Sequence, residues 1–198
     1  MTNTTTIPGY AHGRTPLTRS PVSLGDFERM QKSVLFGDED VRFLRLSHDV
    51  LKDQIEAILD VWYGFVGANP HLSTSFSSMQ DGRPLADYLA AVRTRFGQWI
   101  VDTARAEYDQ QWLDYQYEIG LRHHRSKKNQ TDGAGSTAIV PFRDLFPLVF
   151  PITFTLKPFL GKHGHSTEDV EHMHAAWLKS CLLQVTLWSH PYVKNGDF

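Results

Sequence analysis

The sequence predicts an all-α protein, and three observations carry that reading. Apolar residues recur at steps of three and four along most of the chain, and no alternating apolar and polar run reaches a useful strand length. The strongest local signals are helix caps and proline breaks, and rough pattern counting gives about six to eight helices. With 198 residues, 41% of them hydrophobic and 12% aromatic, the chain suits one large domain with room for an extra arm, and it can bury a real core.

The elements follow in order. Residues 1–22 hold Pro8, Pro16, Pro21, Gly9, Gly13 and many threonines, which reads as an irregular arm. Ser23 and Asp26 stand at capping-box spacing ahead of Phe27, Met30 and Val34 on one face, so a short helix opens there and closes by Gly37. From Asp38 to about Ala68 the pattern is helical again, with Val50, Ile55, Ile58, Val61 and Trp62 near helical spacing. Pro70 ends it by disfavouring helix at Asn69. Over 84–104, Leu89, Val92, Phe96, Trp99 and Ile100 form one stripe, and 108–125 is a further helix. Residues 130–141 read as loop. The apolar stretch 142–160 is helical, kinked at Pro147, Pro151 and Pro158. The last helix starts at the Ser166 and Asp169 cap and carries Val170, Met173, Trp177, Cys181, Val185 and Trp188 on one face.

Bulk properties exclude several classes. A net charge of −2 and a pI near 6.5 give no reason to expect nucleic acid or an anionic membrane as partner. A single cysteine, Cys181, excludes an internal disulfide and suits a reducing compartment. The N-terminus has no basic segment followed by an apolar core, and "LFPLVFPITFTL" (145–156) is too short to span a bilayer. A soluble cytoplasmic protein is expected. No phosphate-binding glycine loop, paired-carboxylate signature, nucleophile elbow or Cys-x-x-Cys is present.

Ten histidines raise the question of a metal site. His163, His165, His172 and His174 are dense, but residues two apart on a helix do not share a face, so surface histidines are the better reading. His123 and His124, in "YEIGLRHHRSKKN", differ in face. Trp112, Tyr115, Ile119 and His123 make one row, whereas His124 continues Leu113, Tyr117 and Leu121. Helical geometry alone does not choose between them, and a lone histidine on an apolar face is usually a satisfied core residue. Against that, Trp62, Tyr63, Val92, Phe96 and Trp99 supply more bulky apolar surface than a small bundle needs. A flat macrocycle would need such walls and one imidazole for its iron.

The stretches "DVWYGFVGANPHL", "VRTRFGQWIVDT", "QWLDYQYEIGLRHHRSKKNQTD" and "LWSHPYVKNGDF" resemble the protoglobins, single-domain relatives of the globin-coupled oxygen sensors. The resemblance runs from "IPGY" (7–10) to the last residue. It implies a globin fold, a three-over-three helical sandwich. The whole chain, 1–198, would be one globin domain: an N-terminal arm over 1–22, an extra helix over 23–36 and a core over 38–198.

By the same resemblance, His123 is the proximal ligand of haem b (iron protoporphyrin IX), and His124 is a neighbour that does not bind iron. Trp62 and Tyr63 fall at the distal positions, with Val92 and Phe96 on the facing helix and Phe76 as the phenylalanine that wedges the haem. Leu148 stands where the family pocket often carries an aromatic residue, with Pro147 beside it, and Ile152 is a haem contact one turn on. The arm and its loops bury the haem more fully than in ordinary globins.

The function so implied is reversible binding of dioxygen, carbon monoxide or nitric oxide, for sensing, storage or scavenging. The alternative is a haem enzyme acting on nitric oxide, nitrite or peroxide, and a weaker one is a haem-free helical interaction protein. The apolar faces of 142–160 and 166–188 exceed what one side of a core requires, so a homodimer through these last two long helices is expected.

Overall fold

The structure, a computed structural model, describes residues 6–13, 16–162, 164–194 and 196–198. Among them lie seven helices of ten residues or more, two single helical turns and two 3-10 segments, with one isolated bridge between Ser77 and Pro84 and no named strand. Caps set most of the boundaries. The Ser23 hydroxyl accepts from the Asp26 N–H at 3.1 Å, and the Asp26 carboxylate accepts from the Ser23 N–H at 3.2 Å, which starts α1 (Leu24–Ser33). In the same way the Gly37 N–H donates to Asp40 at 2.9 Å ahead of α2 (Asp38–Leu51).

The helix expected over 38–68 is two helices, because the chain breaks at Lys52–Gln54 before α3 (Ile55–Gly67). Gln54 explains the break. Its side-chain amide donates to the Val50 carbonyl at 2.7 Å and to the Phe159 carbonyl at 3.2 Å, satisfying the end of α2 and tying the corner to a distant helix. Pro70 then opens the single turn α4 (Pro70–Ser73), followed by a 3-10 turn over Thr74–Phe76.

α5 spans Ala86–Arg105, and α6 (Gln110–His123) begins where the Asp109 carboxylate accepts from the Trp112 N–H at 2.8 Å. The stretch 142–160 splits into the turn α7 (Phe142–Leu145) and α8 (Val149–Leu160), with Pro147 in the gap. Pro151 lies in the first turn of α8, where a missing N–H costs no helical bond, while Pro158 lies inside that helix. Ser166 caps α9 (Thr167–Ser189), and a 3-10 turn over His190–Tyr192 follows.

The long helices stack three over three, with α2, α5 and α6 against α3, α8 and α9. α9 is the central member, packing on α2, α6 and α8. Its face carries Met173, Trp177, Cys181 and Val185, all buried as the spacing predicts. The polar atoms it buries are paired. The Trp177 indole donates to Ser47 Oγ at 2.8 Å, and Gln184 accepts from the Trp99 indole at 2.6 Å while donating to Thr103 and Ser180.

The described part of the arm is pinned down. Arg95 donates to the Pro8 carbonyl at 3.0 Å, and Arg122 to the Gly9 carbonyl at 2.6 Å. Gly9 has φ +73, and a Cβ there would meet Arg95 and Thr131 at 2.7 Å. Of the clustered histidines, His163 lies outside the described residues. His172 stacks on Phe43, and His174 donates to the Thr153 carbonyl at 3.1 Å.

Candidate haem site

His123 is the last residue of α6, and its ring is committed on one side. Nδ1 lies 2.8 Å from the Ile119 carbonyl, one turn back. A carbonyl can only accept, so Nδ1 carries the proton and Nε2 carries the lone pair. Among the described residues Nε2 has no hydrogen-bond partner. Burial, partly offset by the Ile119 bond, pulls the imidazole pKa below the usual histidine value and favours the neutral ring. A neutral imidazole with one fixed and one free nitrogen is the form that ligates a metal.

His124 is different in kind. The helix stops before it, and with φ −86 and ψ 158 its backbone is extended. Its Nδ1 sits 2.7 Å from Ser126 Oγ, and its ring stands edge-on to Tyr192. The row through Leu113, Tyr117 and Leu121 therefore does not reach His124. Backbone geometry separates two histidines that helical spacing left equal.

Trp62, Tyr63, Phe76, Phe96, Leu148 and Ile152 come together in one apolar cluster with Val66 and Leu72. Trp62 and Phe96 meet edge to face at 5.8 Å, as do Tyr63 and Phe76 at 6.5 Å. Val92, one turn before Phe96 on α5, is partly buried and stands outside that cluster. His123 is outside it too. The described ring contacts connect the two sides through Trp188 and Trp99: His123 to Trp188 at 5.4 Å, Trp188 to Trp99 at 5.9 Å, and Trp99 to Phe96 at 5.4 Å.

Two polar donors face this apolar setting. Neither the Tyr63 hydroxyl nor the Trp62 indole N–H has a hydrogen-bond partner among the described residues. Burial raises the Tyr63 pKa above the ordinary phenol value, which keeps the hydroxyl protonated and able to donate. The Arg93 guanidinium lies 5.6 Å from the Tyr63 ring centre and is held by Glu56 and Asp60 at 2.8 Å each.

Sequence reasoning missed four supporting residues. Trp188 stacks on His123 and is itself met by Gln116 and Gly120, and only the glycine left a signal, as a helix-interior glycine that marks a close approach. Lys128, within the basic run, is only 6% exposed; it donates to the Ser75 carbonyl at 3.1 Å and the Tyr88 hydroxyl at 2.8 Å. Its neighbour Lys127 and Arg122 both pair with the buried Glu118, at 2.6 and 2.9 Å. Tyr117–Asn129 thus ends a helix, presents one histidine inward and anchors the loop that follows.

An all-helical sandwich of this order, with an imidazole at the end of α6 and an aromatic cluster drawn from α3, α5 and α8, defines a globin. The Protoglobin family matches residues 24–198, and the chain belongs to that family. No curated protein matches it. Membership implies a haem cofactor and haem-based gas binding, and the residues present fit that group. An imidazole nitrogen with no partner among the described residues and apolar aromatic walls are the chemistry that would hold a haem. Among the described residues no group of three or more His, Cys, Asp or Glu could hold a metal ion, and no helix is long and apolar enough to cross a membrane.

Lys128 allows a pH test of this region. Burial lowers its pKa from 10.5 to about 8, because the ammonium is disfavoured in the folded state. The penalty is fully present below about pH 8 and is relieved as pH rises toward the unfolded value, where the unfolded chain binds more protons. Urea stability should therefore rise between about pH 8 and 9.5 relative to Lys128→Met, by at most about 1.4 kcal/mol per pH unit. Parallel pH profiles for the two proteins would contradict the buried ammonium.

Proposed function

We propose that the chain holds haem b through His123 Nε2 and binds dioxygen, carbon monoxide or nitric oxide reversibly on the opposite face. The observation that carries this reading is the commitment of His123 Nδ1 to Ile119, which leaves Nε2 as the lone-pair nitrogen. When bound, the haem would supply an iron, held by the His123 imidazole, that can take a diatomic gas.

The chain's own residues do the rest. Tyr63, partly buried and protonated, would donate a hydrogen bond to a polar diatomic ligand in the distal space. From the cluster they form, Trp62 and Phe96 would narrow that space and govern access, Leu148 and Ile152 would wall it, and Phe76 would wedge the macrocycle. Val92 is apolar and offers no competing sixth ligand. A second reading, turnover of nitric oxide, nitrite or peroxide, rests on the same Tyr63 hydroxyl acting as a proton source. Turnover with a supplied reductant would distinguish it from reversible binding.

The same proposal includes a homodimer. α8 exposes the stacked pair Phe150 (69%) and Phe154 (63%), and the neighbouring α9 exposes Leu178 and Leu182. A second copy of this chain across a two-fold axis would cover both strips. Cys181 is buried, with its thiol pushed up to about 12 by burial, so it is an inert thiol that suits the cytoplasm.

Three outcomes check these assignments. His123→Ala should lose haem, or regain a normal spectrum only with added imidazole, while His124→Ala should keep both; normal haem content in His123→Ala would remove the assignment. Tyr63→Phe should speed dioxygen release about two- to twelve-fold, the worth of a neutral hydrogen bond of roughly 0.5–1.5 kcal/mol, and should affect carbon monoxide less. An unchanged dioxygen release rate would mean that the hydroxyl only packs. Light scattering should report about twice the 22.6 kDa chain mass, and the Phe150→Glu, Phe154→Glu double variant should fall to the monomer mass. A monomeric parent protein would contradict the interface.

A further inference from the structure

We infer that Trp188 is a positioning residue for His123. Seated by Gly120 and Gln116, it fixes the plane of the imidazole and so sets the strength of its bond to iron. The inference rests on the reading that His123 is the axial ligand.

Gln116, Ile119, Gly120 and His123 fall on one face of α6, and each has a separate task. The Ile119 carbonyl fixes the ring at Nδ1, at 2.8 Å. One hydrogen bond is an anchor at one point, and it leaves the ring free to swing about that point. A flat surface against the ring face removes the swing. Trp188 supplies it: its rings lie parallel to the imidazole, with 10° between planes and centroids 5.4 Å apart.

The indole is itself immobilised. Its N–H donates to Gln116 Oε1 at 2.7 Å, and Gln116 is a buried amide on the same helix that carries the histidine. Behind it stands Trp99, 5.9 Å away and held in turn by Gln184. Gly120 makes the contact possible. A Cβ at position 120 would lie 2.9 Å from the Trp188 carbonyl oxygen and 3.0 Å from its Cα. Those are backbone atoms, which cannot step aside as a flexible side chain can, so any side chain at 120 must push α9 away and Trp188 with it.

Ordinary core packing does not account for this set. Trp188 is only partly buried, yet its one donor is matched to a buried amide from the histidine's own helix. Burying that amide is costly unless its bond is made, and the bond it makes orients the indole. The result is an imidazole held in its plane by Ile119 and on its face by Trp188.

The test is the iron–histidine stretching mode of the ferrous, haem-loaded protein by resonance Raman, with haem content and far-ultraviolet circular dichroism measured alongside. Trp188→Leu should shift the mode to lower frequency by more than its wild-type width. Gly120→Ala should do the same, although it leaves both rings in the sequence. Trp188→Phe keeps an aromatic face but loses the Gln116 anchor, so its mode should broaden with a smaller shift; where the Leu variant does not fold, the Phe variant decides. Folded, haem-loaded variants with the mode unchanged in position and width would overturn the role of Trp188 and leave the axial ligand intact. Absence of the mode from the wild-type protein, or its persistence in His123→Gly without added imidazole, would overturn the axial-ligand reading and this inference with it.

Discussion

The close approach of α6 to α9 is the constraint on which the rest of the site depends. It exists because position 120 has no side chain, so the Gly120 backbone meets the Trp188 backbone. From that contact follow the stacking of Trp188 on His123 and the Gln116 bond that holds the indole. The contact of Trp188 with Trp99, and through it with the Phe96 side of the fold, follows as well. α9 is also the helix against which α2 and α8 pack, so one missing methyl group ties the surroundings of His123 to the centre of the core.

A single physical effect, desolvation, prepares both sides of the site. It lowers the pKa of His123, which favours the neutral imidazole, and it raises that of Tyr63 further above the physiological range. In the proposed function the first would be the lone-pair donor to iron and the second the hydrogen-bond donor to its ligand. Around this centre the polar contacts are made by long side chains working inward from the surface. Arg95 and Arg122 fasten the arm at Pro8 and Gly9, and Arg95 also grips Asp132 in the loop that follows α6. That loop returns to the histidine, since the Val140 N–H donates to the His123 carbonyl at 2.9 Å.

Much of the fold was legible because helix signals are local. Ser23, Asp26 and Ser166 cap helices where their spacing says they should, and the α9 face from Met173 to Val185 is buried as its periodicity requires. Breaks made by distant partners were not legible. The corner at Lys52–Gln54 depends on an amide that reaches Phe159, far along the chain. At the site, the motif resemblance named the aromatic residues that cluster around Trp62, while helical spacing could not separate His123 from His124. What separates them is where α6 stops, and helix ends are set by loop contacts that periodicity does not encode. Gln116 and Trp188 are 72 residues apart, so their bond is invisible to any local pattern. Lys128 reads as part of a basic run, and only the packing of Ser75 and Tyr88 around it reveals a buried amine.

The central claim is that α6 presents one neutral imidazole, and no second protein ligand, to a haem. The most direct measurement is the absorption spectrum of the haem-loaded protein in the ferrous state, before and after carbon monoxide. The account predicts a five-coordinate ferrous spectrum that converts fully to a six-coordinate carbon monoxide form. A six-coordinate ferrous spectrum without added ligand, or protein that takes up no haem, would contradict it.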